Sequence, residues 1–475
     1  MKKRIAILLV LSLIITSLLT VAPVKAAAYG SQFVTSITYQ NVGNAEATVS
    51  ISFYPKSSST PIVITQPALA AGAGTSLYVG GVSSVTTGFM GSAILSSDQP
   101  IVAILVQIGS GTVKNRPLSG SFSAGSSYVL IPTVLKNMFG YNSVFSIQNV
   151  DVSAAADVTL KFVPVTGSPI THTISNLPAG SADYIDMGTF SAITSPTFNG
   201  SVQINSVKVG TTTPGAVVAS SMELQVTGDL AYAFEGANQS AATVYMPSAL
   251  CNFGPNANTT SAYAVQNTST ADIQVSVNYS NGNVDGPATL APGAKKSFDG
   301  CVTGNATGFI GSAKITATGG EIVAVGKIYG GGLSTAFLGF NSGGSKVALP
   351  YIRWTESQWV TGVRQRAYIA IQNVGAADLA AGTVTVKYYD KSGVLVGTHT
   401  LGAIAAGAKA NSNPTTIGAA SAEFAAYPNG SYGGAAVVEG PTGSQLAVVV
   451  RIQSYAGGGN SVGEDYQGVP ILPIP

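Results

Sequence analysis

Few residues of this chain carry chemistry, and their spacing assembles little of it. The two histidines, His172 and His399, both stand in Thr-His-Thr, each five residues ahead of an apolar landmark, Leu177 and Ile404. Two imidazoles at one position of two repeats read as an echo on a strand, because a metal site needs further ligands converging on one point. Gly459-Asn460-Ser461-Val462-Gly463 spells the nucleophile-elbow pattern. That elbow needs a strand before it and a helix after it. Here Gly457 and Gly458 precede it, no helical pattern follows, and no histidine comes later. Glu464-Asp465 is the one adjacent acidic pair. A glycosidase needs two carboxylates across a cleft, and nothing in the spacing marks such a pair. Calcium-loop, phosphate and dinucleotide motifs are absent. The expectation is no enzyme, no catalytic residue, no metal and no cofactor.

Two other groups remain. Cys251 and Cys301 are the only cysteines. In an exported chain they imply one disulfide, closing a loop worth roughly 3–4 kcal/mol in the chain-entropy model. Trp354 and Trp359, in Trp354-Thr355-Glu356-Ser357-Gln358-Trp359, are the only tryptophans. An exposed aromatic pair stacks on a sugar ring or anchors a protein partner; the plainer reading packs them into a joint between domains. Arg353, Arg364 and Arg366 beside them read as a solvated face.

The elements that must position these groups begin after an export signal. Lys2, Lys3 and Arg4 are followed by an apolar run from Ile5 to Val21, and Val24-Lys25-Ala26 fits a small-residue cleavage site. That is the form of a secretory signal peptide over 1–26. Its removal takes four of the 22 basic residues, leaving 18 against 20 acidic. No later stretch is apolar for ~18 residues, so no membrane span is expected after cleavage. The chain of 475 residues is only 9 % charged and 45 % hydrophobic, too apolar for disorder. Nothing in it is basic enough for nucleic acid. The location implied is extracellular or the cell surface.

Beyond the signal the chain repeats. A Gln-Asn pair closes a strand-like run at Gln40-Asn41, Gln148-Asn149, Gln266-Asn267 and Gln372-Asn373, at spacings of 108, 118 and 106 residues. Alternating runs follow, such as Val49, Ile51, Phe53 and Val158, Leu160, Phe162, the period of a half-buried strand. Then come an apolar residue with glycine three positions on (Leu69 and Gly72, Leu177 and Gly180, Leu290 and Gly293, Ile404 and Gly407) and an aromatic-x-Gly element at Phe89, Phe198, Phe309 and Tyr432. About seven strand-like runs per unit, with helical periodicity nearly absent, give an all-β fold: four tandem Ig-like antiparallel β-sandwiches. The units span 27–128, 129–243, 244–346 and 347–475, joined as a rod or curved string.

A strand-plus-proline element recurs between units: Val129-Leu130-Ile131-Pro132, Val244-Tyr245-Met246-Pro247 and Val347-Ala348-Leu349-Pro350. It returns as Pro470-Ile471-Leu472-Pro473, within a C-terminal strand at 469–475. If each element is the last strand of the unit before it, every unit is complete. If it is the first strand of the unit after it, the first unit lacks a strand and Pro470–Pro473 is a spare one. The second arrangement is the arithmetic of head-to-tail strand donation.

The fourth unit reads Ile371-Gln372-Asn373-Val374-Gly375, Val384-Thr385-Val386-Lys387-Tyr388 and Ile404-Ala405-Ala406-Gly407. It resembles the bacterial and archaeal Ig-like repeats of the CARDB type found in surface proteins. The first unit matches through Asn41, Gly43, Phe53 and Gly72, whereas the second and third carry Asp151 and Ser269 in place of the glycine after Asn-x. The resemblance implies an extracellular role and no catalytic residue. The function expected is a structural protein of a surface layer, sheath or filament, whose partner is itself or another surface protein. The alternative is an adhesin that grips a glycan or protein.

Overall fold

In a computed structural model, residues 27–110, 116–254, 258–301, 304–355, 364–415, 431–455 and 461–471 are described. Residues 1–26, expected as an export signal, and Trp359, Leu472 and Pro473 lie outside them. The described residues form thirty-two strands and one short 3-10 turn, Val79–Gly81. The fold is all-β: the described residues form two sheets in each of the first three units and one nine-stranded sheet in the fourth, whose two layers are joined where Trp354 and Thr355 pair with Arg366 and Gln365.

The second unit shows the plan. One sheet runs Ile170–Leu177, Ala156–Pro164, Phe198–Lys208, Tyr128–Lys136; the other runs Ala182–Asp186, Tyr141–Asn149, Val217–Gln225, Ala231–Glu235. Alternate side chains of both enter one core, among them Ile131, Phe145, Leu160, Val202 and Phe234. This is the two-layer sandwich of Ig-like domains, with a different order of edge strands. In an Ig domain the first strand pairs with the second. Here Tyr128–Lys136 pairs with the sixth strand, Phe198–Lys208, in the opposite sheet.

The repeated residues hold the turns. Asn41, Asn149, Asn267 and Asn373 are all buried. Each side-chain amide donates to at least two carbonyls, in the first unit those of Ala45 at 2.7 Å and Leu69 at 2.9 Å. Its oxygen accepts a backbone N–H two residues on, from Gly43, Asp151, Ser269 and Gly375 respectively. Position two therefore needs an N–H and not a glycine, which explains why Asp151 and Ser269 serve. In the aromatic-x-Gly element the ring folds back over its own glycine. A Cβ on Gly200 would meet the Phe198 ring at 2.6 Å and the Val163 carbonyl oxygen at 2.3 Å, so no side chain fits there.

The strand-plus-proline element belongs to the unit that follows it. Tyr128–Lys136, Thr243–Cys251 and Lys346–Thr355 each flank the sixth strand of their own sandwich. The simpler assignment, to the preceding unit, is wrong. Each proline sits where the register shifts, between Gly200 and Val202, Met246 and Ala249, and Leu349 and Ile352. A bulge is where a strand tolerates a residue with no N–H to give the ladder. Cys251 ends one of these leading strands and is bonded to Cys301, as expected.

The units do not form a string. Ser92 Oγ donates to the Gly180 carbonyl at 2.7 Å, Ser201 Oγ to Gly293 at 2.7 Å, and Ser312 Oγ to Gly407 at 3.3 Å, one contact repeated at three joints. The fourth joint runs from the last unit back to the first: Gly74 N–H donates to the Lys391 carbonyl at 3.2 Å. Ile104, Val106 and Leu118 of the first unit sit in the core of the fourth. The strands Leu118–Gly120, Ala231–Glu235, Leu333–Leu338 and Ser461–Gln467 touch in that cyclic order around the centre. The sandwiches close into a ring, and at three of the four joints apolar residues of one unit are buried in the core of its neighbour.

Candidate functional site

The first sandwich departs from the plan. Its second sheet has three strands, Ile62–Thr65, Val49–Pro55 and Gly91–Ser97, and Gly91–Ser97 forms an outer edge. In the other three units the counterpart of that edge carries the leading strand. The consequence reaches the core. Val202 and Ile204 are fully buried under Ile131 and Val129, and Ala313 and Ile315 are buried likewise. Their counterparts Ala93 and Leu95 are half-buried. Nine half-buried apolar side chains, Leu77, Phe89, Ala93 and Leu95 among them, border the first core, against four in the second.

The described residues ahead of this unit do not cover the edge. Ala28 N–H donates to Gly228 O at 2.7 Å and Tyr29 N–H to Gln225 O at 2.9 Å, both on the second sandwich. Tyr29 Oη donates to Asp186 at 3.1 Å. Burial pushes the Tyr29 phenol up to about 12, and the Asp186 charge adds to the rise. Ala28, Tyr29 and Phe33 thus lie against Val144, Met222 and Leu224.

The neighbouring face of the second sandwich is also unlike its counterparts. Val325, Val449 and Ile104 stand at one position of the seventh strand. Each is buried in the core of the preceding unit around the ring. In the second unit that position is Ser220, half-buried and 3.0 Å from Ser146 Oγ. At the other joints a leading strand leans on this face: Lys295 Nζ donates to Thr133 Oγ1 at 2.8 Å, and Arg451 to Ser248 Oγ at 3.5 Å. The leading strand therefore does two jobs, completing its own sheet and padding the next unit. Between the first and second units neither job is done by a strand of that kind, and Ser220 stands where valine or isoleucine stands elsewhere. The joint is held by Ser92, by Tyr184 Oη donating to Gly91 O, and by a Lys56–Asp183 ion pair at 2.7 Å. That pair is solvated enough to contribute only about 0–1 kcal/mol.

Ionisable groups cluster nearer the ring centre. Thr133 Oγ1 donates to Glu223 at 3.1 Å, and Glu223 is ion-paired with Lys327. Burial drives Lys295 down to about 7, helped by Lys327 and opposed by Glu223. Glu235 accepts the Gly120 N–H of the first unit, and burial raises its carboxyl. Burial raises Glu464 to about 8 against the pull of Arg116 and Arg353. Glu223, Lys295 and Glu235 hydrogen-bond across the joints, whereas Glu464 is buried with no hydrogen-bond partner on either carboxyl oxygen. The geometry of the first three is that of mortar between units. Among the described residues no three His, Cys, Asp or Glu side chains gather as a metal site, and no helix is long and apolar enough to cross a membrane.

The other residues singled out in the sequence stay apart. His172 packs edge-on against Phe190, while His399 Nδ1 lies 2.8 Å from Ser412 Oγ in a different sandwich. Ser461 opens a strand, Ser461–Gln467, and no helix follows it among the described residues. Trp354 packs on the core of the fourth unit, its ring 4.4 Å from the Arg366 guanidinium. Arg353 and Arg366, expected on a solvated face, are buried, and they donate to the carbonyls of Ile352 at 3.1 Å and Thr355 at 2.7 Å.

No protein-family model, characterised protein or solved structure matches this chain. The open edge was missed as a site by residue chemistry, because it consists of backbone groups. The spacing of the proline elements was the one signal that could find it.

Proposed function

We propose that the chain is an exported structural protein of a cell-surface layer, sheath or filament, and that its copies associate with one another. The observation that carries this reading is the unpaired edge Gly91–Ser97 in a molecule whose other three sandwiches complete the same edge. A free edge is a template for pairing with another chain. This edge has no charged residue along its seven positions to discourage it. The low overall charge of 9 % works in the same direction, since mutual repulsion is weak. The export signal, the disulfide and the likeness to CARDB-type surface repeats favour the location. The adhesin reading has less behind it: one face of Trp354 is already covered by Arg366.

The test is the association state of residues 27–475. Light scattering after size exclusion, over a range of concentrations, should show assemblies larger than one chain. Negative-stain microscopy should show them as lines or sheets. Single chains at every concentration would overturn the structural reading.

A further inference from the structure

We propose that the open edge Gly91–Ser97 takes residues 470–475 of a second copy of this chain as its missing fourth strand. This rests on the self-associating reading above and specifies its contact.

The first argument is the repeated element. Three sandwiches fill this edge with the same pattern, Val-x-(Ile/Met/Leu)-Pro, at Val129–Pro132, Val244–Pro247 and Val347–Pro350. Pro470-Ile471-Leu472-Pro473 repeats the last three positions with proline in place of the leading valine, and it follows a sandwich whose own edge is already filled by Lys346–Thr355.

The second argument is the register. Ile131 lies opposite Val202, Met246 opposite Ala313, and Leu349 opposite Ala436. Each partner stands two residues after the glycine of the aromatic-x-Gly element. Counting from Gly91 puts Leu472 opposite Ala93 and Pro470 opposite Leu95. These are the two side chains of the edge strand left half-buried where Val202 and Ile204 are covered. Pro473 falls on the bulge, where Pro132, Pro247 and Pro350 stand. Ile471 falls on the side that faces Ser146 and Ser220 of the next sandwich.

The third argument excludes the molecule's own tail. Ser121, Gly236, Gly339 and Gly468 are equivalent: each N–H donates to a seventh-strand carbonyl, of Ala103, Ala219, Ala324 and Val448. Seven residues then lead to Val129, Val244 and Val347, but only Val469 separates Gly468 from Pro470. A tail six residues short falls roughly 20 Å short of its own open edge at ~3.3 Å per residue. It reaches a second molecule brought alongside. What must be released is small: the Pro470–Val347 pairing and the bond from Ile471 N–H to Lys346 O, while Val469 keeps the place its counterparts Ala237 and Phe340 keep. A contact between two different surfaces propagates head to tail and gives lines unless it closes on itself.

The experiment compares residues 27–475 with residues 27–469. The shorter chain should remain a single chain, with unchanged circular dichroism and melting. It should bind a synthetic peptide of residues 468–475 by fluorescence anisotropy. In a mixture, Ala93→Cys in the shorter chain and Leu472→Cys in the longer one should form an intermolecular disulfide under mild oxidant, at least tenfold faster than Ser96→Cys with Leu472→Cys. If the shorter chain assembles as the longer one does, the donated strand is wrong and the structural reading survives it. A double cysteine chain that cross-links only within itself overturns the second copy. If the longer chain does not assemble at all, the structural reading falls first.

Discussion

The strands Gly91–Ser97 and Phe198–Lys208 occupy the same place in two neighbouring sandwiches. Both follow an aromatic-x-Gly turn, and both pair on one side with the strand that succeeds the Asn bracket. On the other side Phe198–Lys208 has Tyr128–Lys136, whereas Gly91–Ser97 has no strand among the described residues. Val202 and Ile204 are consequently sealed, and Ala93 and Leu95 are not. The difference teaches that a unit can keep every turn signal of its family of repeats and still be incomplete. What completes a sandwich here is a strand placed ahead of the repeat's own landmarks. The neighbour registers the difference too, with Ser146 and Ser220 facing the first joint where Ala264 and Val325 face the second.

The largest effect that sharpens this comparison is a paired truncation. Ile204→Ala empties a sealed site and should cost about 2–5 kcal/mol in urea unfolding. Leu95→Ala should cost less than half as much in single chains, because Leu95 is already partly wetted. Equal costs would break the comparison.

A smaller effect tests the joint that closes the ring. Glu464 is raised to about 8 chiefly by burial, so between pH 4.5 and 8 the folded chain holds a proton that the unfolded chain has released. Its contribution is full below the ordinary carboxylate range and is lost as pH rises toward 8. Stability should therefore fall from pH 5 to 7, and Glu464→Gln should flatten that fall. Some slope should remain from Glu235, whose carboxyl is raised by the same cause. Lys295, lowered to about 7, acts in the opposite sense only at higher pH. An unchanged slope in thermal melts of the variant would place Glu464 in contact with water.

The smallest effect compares the joints themselves. Ser201 Oγ donates to Gly293 O in a fully buried setting, while Ser92 Oγ does so beside the open edge. Ser201→Ala should cost about 0.5–1.5 kcal/mol. Ser92→Ala should cost less, measured side by side by chemical unfolding.

Much of this architecture was legible because it is written locally. The alternation of Val158, Leu160 and Phe162, the glycine after each apolar landmark and the lone cysteine pair all appear where the sequence placed them. Each acts within a few residues or through one covalent bond. The Asn of the Gln-Asn pair marked the repeats, but its hydrogen-bonded bracket reaches carbonyls as far as 31 residues away, as from Asn373 to Ile404. The owner of the proline element was not legible, since Val129–Pro132 reads the same whichever sheet it joins. Ring closure left even less trace. It depends on Ile104 and Val106 entering a core more than 200 residues away in the chain, and an apolar residue on a strand does not announce which core will bury it. The buried Arg353 and Arg366 show the same limit, because their charge was offset by carbonyls no local pattern could name.

The closed ring bears on how the molecule responds to pulling. Successive sandwiches are tied by seven-residue linkers, but the fourth and first are held only by packing and by bonds such as Gly74 to Lys391. Once the short terminal pairing of Val469–Pro470 is released, tension applied between the two ends of the chain loads that seam before the longer strands of a sandwich. The ring would open at the seam into an extended tether of intact sandwiches, and shut again when the load is removed, so length is gained with no sandwich unfolding.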